Sequence, residues 1–213
     1  MLKKIVFGLI LFTVFFSKAQ VCKHLNLSEK FQFDLQFTRT VSEEENDICK
    51  IELTIVNKAT NKIVQRITLN PEFIFSSDFD NCDAIKSFST NFNTDREVAD
   101  NDSGDFIVVD LNFDGLEDFA IKSDSGGNGG PTYSFFIQNE EGKFTEENYL
   151  TKTMEFFPLE IDKVKKRLTI YVHANAYQLS KTIFKYNAKR TQWKVIHSSL
   201  VDYDNVPSET EFK

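Results

Sequence analysis

The stretch Phe31-Gln32-Phe33-Asp34-Leu35-Gln36-Phe37 alternates apolar and polar residues without interruption. In an extended chain successive side chains point to opposite faces, so four apolar groups share one side of a strand here. A helix, with about 3.6 residues per turn, would scatter the same groups around its axis. The same period recurs in Ile51, Leu53 and Ile55. After a polar turn over residues 57–62 it resumes from 63 to 69, which predicts a hairpin. Further strands are predicted at 72–75, 106–109, 119–122, 133–138, 167–173, 177–186 and 193–197. No window carries an amphipathic helical pattern longer than about three turns. The chain holds 22 Phe, a residue that suits a pleated, half-buried surface. These patterns predict an all-β fold, a barrel or antiparallel sheets in a propeller-like or sandwich-like arrangement. Residues 78–104, rich in Asp, Asn and Ser, read as a long irregular connection. It separates an N-terminal hairpin region (20–100) from a second region (101–213) within one β-rich domain.

The first residues read as a secretory signal. Lys3 and Lys4 begin it, residues 5–16 form an uncharged apolar run, and Ser17 and Ala19 are the small residues a signal peptidase needs. The apolar run falls short of the roughly 20 residues that span a bilayer. Val21 precedes Cys22, where a lipid-attachment site takes Gly, Ala or Ser. Cleavage after Ala19 removes 19 of 213 residues and leaves 194, with Gln20 first and no segment left to insert in a membrane. Loss of Lys3, Lys4 and Lys18 takes the net charge from −7 to −10. The expected location is periplasmic or extracellular. So acidic a chain is repelled by nucleic acid and by anionic membranes, and it favours a cation or a basic protein. The charge also serves plain solubility.

Cys22, Cys49 and Cys82 survive cleavage, which in an oxidising compartment implies one disulfide and one thiol over. Cys49 opens a strand pattern and Cys82 sits in a polar turn, so of the three connectivities Cys49–Cys82 is the expected one. Cys22 is near the new terminus, where chain ends are usually poorly ordered. The spacings match no zinc or redox motif.

One loop carries specific chemistry: Asp110-Leu-Asn112-Phe-Asp114-Gly115-Leu116-Glu-Asp118. Calcium takes six to eight oxygens, and alternate residues of a tight loop can converge on one point. Asp110, Asn112 and Asp114 stand at loop positions 1, 3 and 5, Gly115 permits the reversal, the Leu116 carbonyl serves position 7, and Asp118 serves position 9. Five such residues in place predict on the order of 10⁻⁴ chance matches at average residue frequencies, about tenfold more given this chain's Asp and Asn content. The bland alternative is an Asp-rich turn without a metal. The loop departs from an EF-hand, because position 12 is Ile121 and both flanks read as strands.

A nine-residue calcium loop between two strands resembles those of integrin-type (FG-GAP-like) propeller repeats, though the Phe-Gly and Gly-Ala-Pro signatures of those repeats are absent from the mature chain. The loop is followed by a glycine-rich segment (123–130), then Tyr133-Ser-Phe-Phe-Ile-Gln138, the turn at Glu141 and Gly142, and aromatic strands ending at Trp193. That order, over residues 106–197, resembles a family of periplasmic calcium-binding proteins that inhibit peptidoglycan hydrolases, some of them immunity proteins against injected effectors. The resemblance implies a Ca²⁺ cofactor and a peptidoglycan hydrolase as partner. It assigns no inhibitory residue in this chain and does not extend to residues 20–105.

Gly126, Gly127, Gly129 and Gly130 are half of the chain's 8 glycines. They read either as a protruding recognition loop, with Asp124 or Asn128 as further calcium donors, or as a wide turn. No Gly-Lys-Ser/Thr follows, which excludes a phosphate loop. His24, His173 and His197 stand apart from any nucleophile motif, and no carboxylate pair is singled out for glycosidase chemistry. The chain therefore reads as a binding protein with no catalysis of its own: an inhibitor of a cell-wall hydrolase, or alternatively a cell-surface adhesion or carbohydrate-binding module.

Overall fold

The structure, a computed structural model, describes residues 21–24, 26–40, 48–71, 73–90 and 101–206. The expected signal segment lies outside them. The alternating stretch forms β2 (Phe31–Thr40), between β1 (Val21–His24) and β3 (Ile48–Asn57), and β4 (Lys62–Leu69) completes a sheet of order β1-β2-β3-β4. Its register sets Phe33 opposite Ile55, Leu35 opposite Leu53 and Phe37 opposite Ile51, so every apolar residue of the pattern faces one way.

A second sheet has the order β5-β6-β7-β8-β9, from β5 (Ser87–Ser89), β6 (Phe106–Val109), β7 (Asp118–Gly127), β8 (Gly130–Gln138) and β9 (Phe144–Glu146). β5 pairs with β6 in parallel and the other neighbours pair antiparallel. A third sheet follows, β10 (Glu160–Asp162), β11 (Arg167–His173), β12 (Gln178–Asn187) and β13 (Gln192–Asp202), in that order. One helical turn, Leu150–Met154, closes with the Glu155 amide donating to the Leu150 carbonyl at 2.9 Å.

The layers stack with the second sheet in the middle. Phe106, Val108, Phe119, Ile121, Phe136 and Phe144 pack with the first sheet's Phe33, Leu35, Leu53 and Ile55. Their strand neighbours Ile107, Val109, Ala120, Tyr133 and Phe135 pack with Leu168, Ile170, Phe184 and Trp193 of the third sheet. A strand covered on both faces needs apolar residues at every position, and all four residues of β6 are buried. The fold is all-β and sandwich-like, with no sheet closed into a barrel.

Several strand expectations need correction. Residues 73–75 make a single bridge, Phe73 to Asp124, and form no strand. They are extended because the Ser125 amide donates to the Phe73 carbonyl at 2.8 Å, the Phe75 amide donates to Ser125 Oγ at 2.8 Å, and Arg39 donates to the Ile74 and Phe75 carbonyls. The 78–104 connection contains β5, and residues 91–100 lie outside the described set. β7 and β13 run well past their predicted ends. The β13 edge is long, but a bulge interrupts it opposite Ile183 and Phe184, a feature that discourages edge-to-edge pairing.

The expected disulfide is overturned. Cys22 bonds to Cys82, and Cys49 is a buried, unpaired thiol. Cys22 is held in order because β1 pairs with β2, with Cys22 opposite Leu35. Cys49 shares the inward face of β3 with Ile51 and Leu53, all of them buried.

A lysine sits where the sequence reading placed only the end of a strand. Lys122 is 2% exposed, and its Nζ lies 2.7 Å from Asp105 Oδ1, 3.2 Å from Asp102 Oδ1 and 3.5 Å from Asp78 Oδ2. Burial pushes the Asp105 carboxyl up, against the pull of the Lys122 charge. Burial also pulls the Lys122 ammonium down, and the surrounding carboxylates more than offset it. The cluster ties the connections before β5 and β6 to the centre of β7.

Candidate functional site

The loop from Asp110 to Asp118 joins β6 to β7 and starts from the paired residues Val109 and Asp118. Phe113 and Gly115 take positive φ, 63° and 87°, which reverses the chain within a few residues. The side chains at loop positions 1, 3 and 5 gather on the backbone of that reversal. The Asp114 amide donates to Asp110 Oδ1 at 3.2 Å and to Asn112 Oδ1 at 3.0 Å, and the Gly115 amide donates to Asp110 Oδ2 at 3.1 Å. Asn112 Nδ2 donates to Asp114 Oδ2 at 2.8 Å, and the Leu116 amide donates to Asp114 Oδ1 at 2.8 Å.

Asp118 behaves differently. It is fully buried, with Oδ2 accepting from the Leu111 and Asn112 amides at 2.8 and 3.3 Å and Oδ1 accepting from the Gln138 amide at 2.8 Å. It thereby pins the start of the loop to β8. Burial raises its carboxyl to about 8, against the pull of those three amides. Burial raises Asp110 as well. Among the described residues no three His, Cys, Asp or Glu side chains stand together as a metal cage. The structure brings Asp110, Asn112 and Asp114 together and gives Asp118 a bracing role. The remaining donor set still suits a hard cation: Asp110, Asn112, Asp114 and the Leu116 carbonyl offer only oxygens, and two of the three side chains are carboxylates.

The loop touches all three sheets. Ser28 Oγ, in the turn before β2, donates to Glu117 Oε2. Gln138 is in the central sheet, and Lys166, in the turn before β11, donates from Nζ to the Phe113 carbonyl at 3.3 Å. The Phe113 ring lies 6.2 Å from that of Trp193 on β13. Whatever stiffens this loop stiffens the junction of the layers.

A second surface lies at the far end of the third sheet. Tyr177, in the short loop between β11 and β12, is 80% exposed. The Tyr203 amide donates to the Tyr177 carbonyl at 3.3 Å, and the Tyr203 hydroxyl hydrogen-bonds with His173 Nδ1. Beside it is the glycine-rich segment, which proves to be the tight tip of the β7–β8 hairpin, with Gly127 paired to Gly130. A Cβ on Gly126 would lie 1.9 Å from the Gly130 carbonyl oxygen, so this tip requires glycine. Gly127, Asn128, His173, Asn175 and Tyr203 line a cleft of about 660 Å³ between the two tips. Sequence reasoning found the glycine tip and missed Tyr177, which it placed inside a strand. The neighbouring Asn175 was the available signal, because its Oδ1 accepts from the Tyr177 and Gln178 amides at 3.0 and 3.1 Å and shapes the turn.

No family model matches the chain. No curated protein matches it. Among solved structures it is similar to one described as a Xanthomonas Type IV Secretion System related protein, at 16% identity and a TM-score of 0.50, over 81% of this chain and 79% of that one. At that identity the likeness concerns the fold. Among the described residues no helix is long and apolar enough to cross a membrane, and the disulfide is compatible with an oxidising compartment.

Proposed function

We propose that this is an exported calcium-binding protein that docks on a peptidoglycan hydrolase and inhibits it without chemistry of its own. The observation that carries the reading is Tyr177, exposed on a tip whose backbone is fixed by Asn175 and Tyr203. A rigid aromatic with a polar end is the kind of anchor that dominates protein interfaces, because it buries a large area at little entropic cost. The cleft and the glycine tip beside it offer a shaped surround. The acidic net charge favours a basic enzyme and speeds encounter. The test is a cell-wall lysis assay with a panel of lysozyme-like hydrolases and the mature protein. Tyr177→Ala should weaken inhibition by 2 kcal/mol or more, about 30-fold, with an unchanged melting temperature. Equal inhibition by the variant would remove Tyr177 from the interface.

Calcium enters this reading as a clamp. Asp110, Asn112, Asp114 and the Leu116 carbonyl would hold it, with Asp118 holding the loop in place behind them. Sites of this kind in extracellular proteins have dissociation constants of about 10⁻⁴ to 10⁻³ M. At about 100 times that constant, binding to the folded state alone adds about 2.7 kcal/mol, or roughly 5–10 °C in a chain of this size. Asp114→Ala should abolish that gain and change little in chelator. Asp118→Ala should destabilise in chelator too, since it strands three buried amides. Identical melting curves with and without calcium would end the calcium reading.

One observation favours the carbohydrate-binding alternative. Phe73 and Phe75 are about half exposed and meet edge to face with ring centroids 5.2 Å apart. Phe73 also bridges to Asp124, which lines a groove of about 690 Å³ together with Glu146, Glu155, Thr132 and apolar residues such as Leu69 and Phe136. Aromatic faces beside carboxylates suit a sugar chain. A protein that inhibits no hydrolase and binds a glycan array through Phe73 and Phe75 belongs to that class.

A further inference from the structure

From Lys163 to Val201 the chain has nine basic residues and no Asp or Glu, although the whole sequence has 32 acids against 25 Lys and Arg. The fold concentrates most of these cations at one end of the third sheet. The β10–β11 turn brings Lys163, Lys165 and Lys166, and the β12–β13 turn, at the same end of the antiparallel sheet, brings Lys189 and Arg190. Between them Arg167, Lys185 and Lys194 stand directly opposite one another on three adjacent strands. Their neighbours Leu168, Phe184 and Trp193 point into the core, so this row of three cations points outward. Like charges opposed across strands destabilise a sheet, and strand spacing puts them only about 5 Å apart. Among the described residues the one ion pair at this end is Lys165 with Asp162, at 3.6 Å and largely exposed. At the tip, between Lys163 and Lys165, Val164 is 93% exposed.

We propose that this end of the sheet docks the protein on an anionic membrane surface, with phosphate headgroups as its ligand. Two turns side by side make a blunt cationic end and not a cleft, which suits a plane of charge. Val164 is placed to enter the headgroup layer while the lysines beside it keep their ammonium groups at phosphate level. Besides Asp162, the acids nearest this end are those of the 110–118 loop, where Lys166 donates to the Phe113 carbonyl and Asp114 acts on Tyr186; calcium bound there would offset them, and exposed charges farther than about 8 Å are screened at physiological ionic strength. β12 rises about 3.3 Å per residue over its 10 residues, so docking by this end holds the Tyr177 loop roughly 30 Å from the bilayer and facing away. Membrane docking does not depend on what Tyr177 binds.

The experiment is co-sedimentation of the mature protein with vesicles of phosphatidylcholine, alone or mixed with phosphatidylglycerol, at low and high salt. Binding is expected only to the anionic vesicles and is lost at high salt. Each lysine near such a surface contributes about fivefold, so Lys163→Gln, Lys165→Gln and Lys189→Gln together should lower partitioning about a hundredfold with unchanged circular dichroism. Lys185→Glu supplies a second readout: it should raise the melting temperature, by relieving Arg167 and Lys194, while lowering partitioning. Absence of binding to the anionic vesicles, or equal binding by the triple variant, would overturn the proposal. Capture of soluble inorganic polyphosphate without vesicle binding would overturn it also.

Discussion

Lys122→Met is expected to cost about 3–5 kcal/mol, the range for removing one partner of a buried ion pair. In a chain of this length that lowers the melting temperature by on the order of 10 °C. Met keeps the apolar stem and deletes the charge, so packing changes little. What it strands is Asp105, 3% exposed and 2.7 Å from the lost ammonium, whereas Asp78 and Asp102 retain contact with water at 18% and 27% exposure. The sign of the pH dependence follows from Asp105. Its carboxyl is already raised by burial and is held down by Lys122, so removing the lysine raises it further. A carboxyl whose folded value exceeds its unfolded one costs stability as pH rises from the unfolded value, near 3.9, through the folded value. The variant should therefore lie closest to the wild type in acid and diverge toward neutrality. Lys122→Met with Asp105→Asn should recover most of the loss, since a neutral amide needs no counter-charge and its oxygen can still accept from the Lys86 amide, as Asp105 Oδ2 does at 2.9 Å. Urea unfolding at two pH values tests this, and a pH-independent loss or no rescue would show that the lysine acts through packing alone.

Cys22→Ser and Cys82→Ser should each cost roughly 4 kcal/mol by the chain-entropy relation, because the bond joins residues 60 apart in sequence. The two substitutions combined should cost little more than either alone, since both break the same link. Non-reducing peptide mapping should find Cys22 joined to Cys82, with Cys49 alkylated only after unfolding, because Cys49 is 1% exposed. A bridge from Cys49 to either of the others would contradict the fold near β1. Additive losses would show that each sulfur contributes mainly by packing.

The first sheet was legible because it is covered on one side: the alternation from Phe31 to Phe37 reproduces the burial pattern residue for residue. The central sheet is covered on both sides, so Phe106-Ile-Val-Val109 has no period to read, and its place in the middle was not visible. β1, β5, β9 and β10 were missed because strands of three or four residues carry at most two full periods. The wrong disulfide followed from the same gap, since Cys22 is ordered only by a strand that was not foreseen. In the candidate site, the spacing of Asp110, Asn112 and Asp114 was fully legible because the loop is local. The bracing role of Asp118 was not, because its partner Gln138 lies 20 residues away. Net charge concealed the cationic end of the third sheet, because a total cannot show that one stretch holds no acids.

The doubly covered central sheet also limits how this chain can be cut or borrowed. Expressing residues 101–213 alone would leave Phe106, Val108, Phe119, Ile121, Phe136 and Phe144 facing solvent. That is a contiguous aromatic and aliphatic surface of the kind that drives aggregation. The N-terminal residues are therefore a built-in lid for the region that carries the 110–118 loop, and any fusion, truncation or split-protein design has to keep both outer sheets.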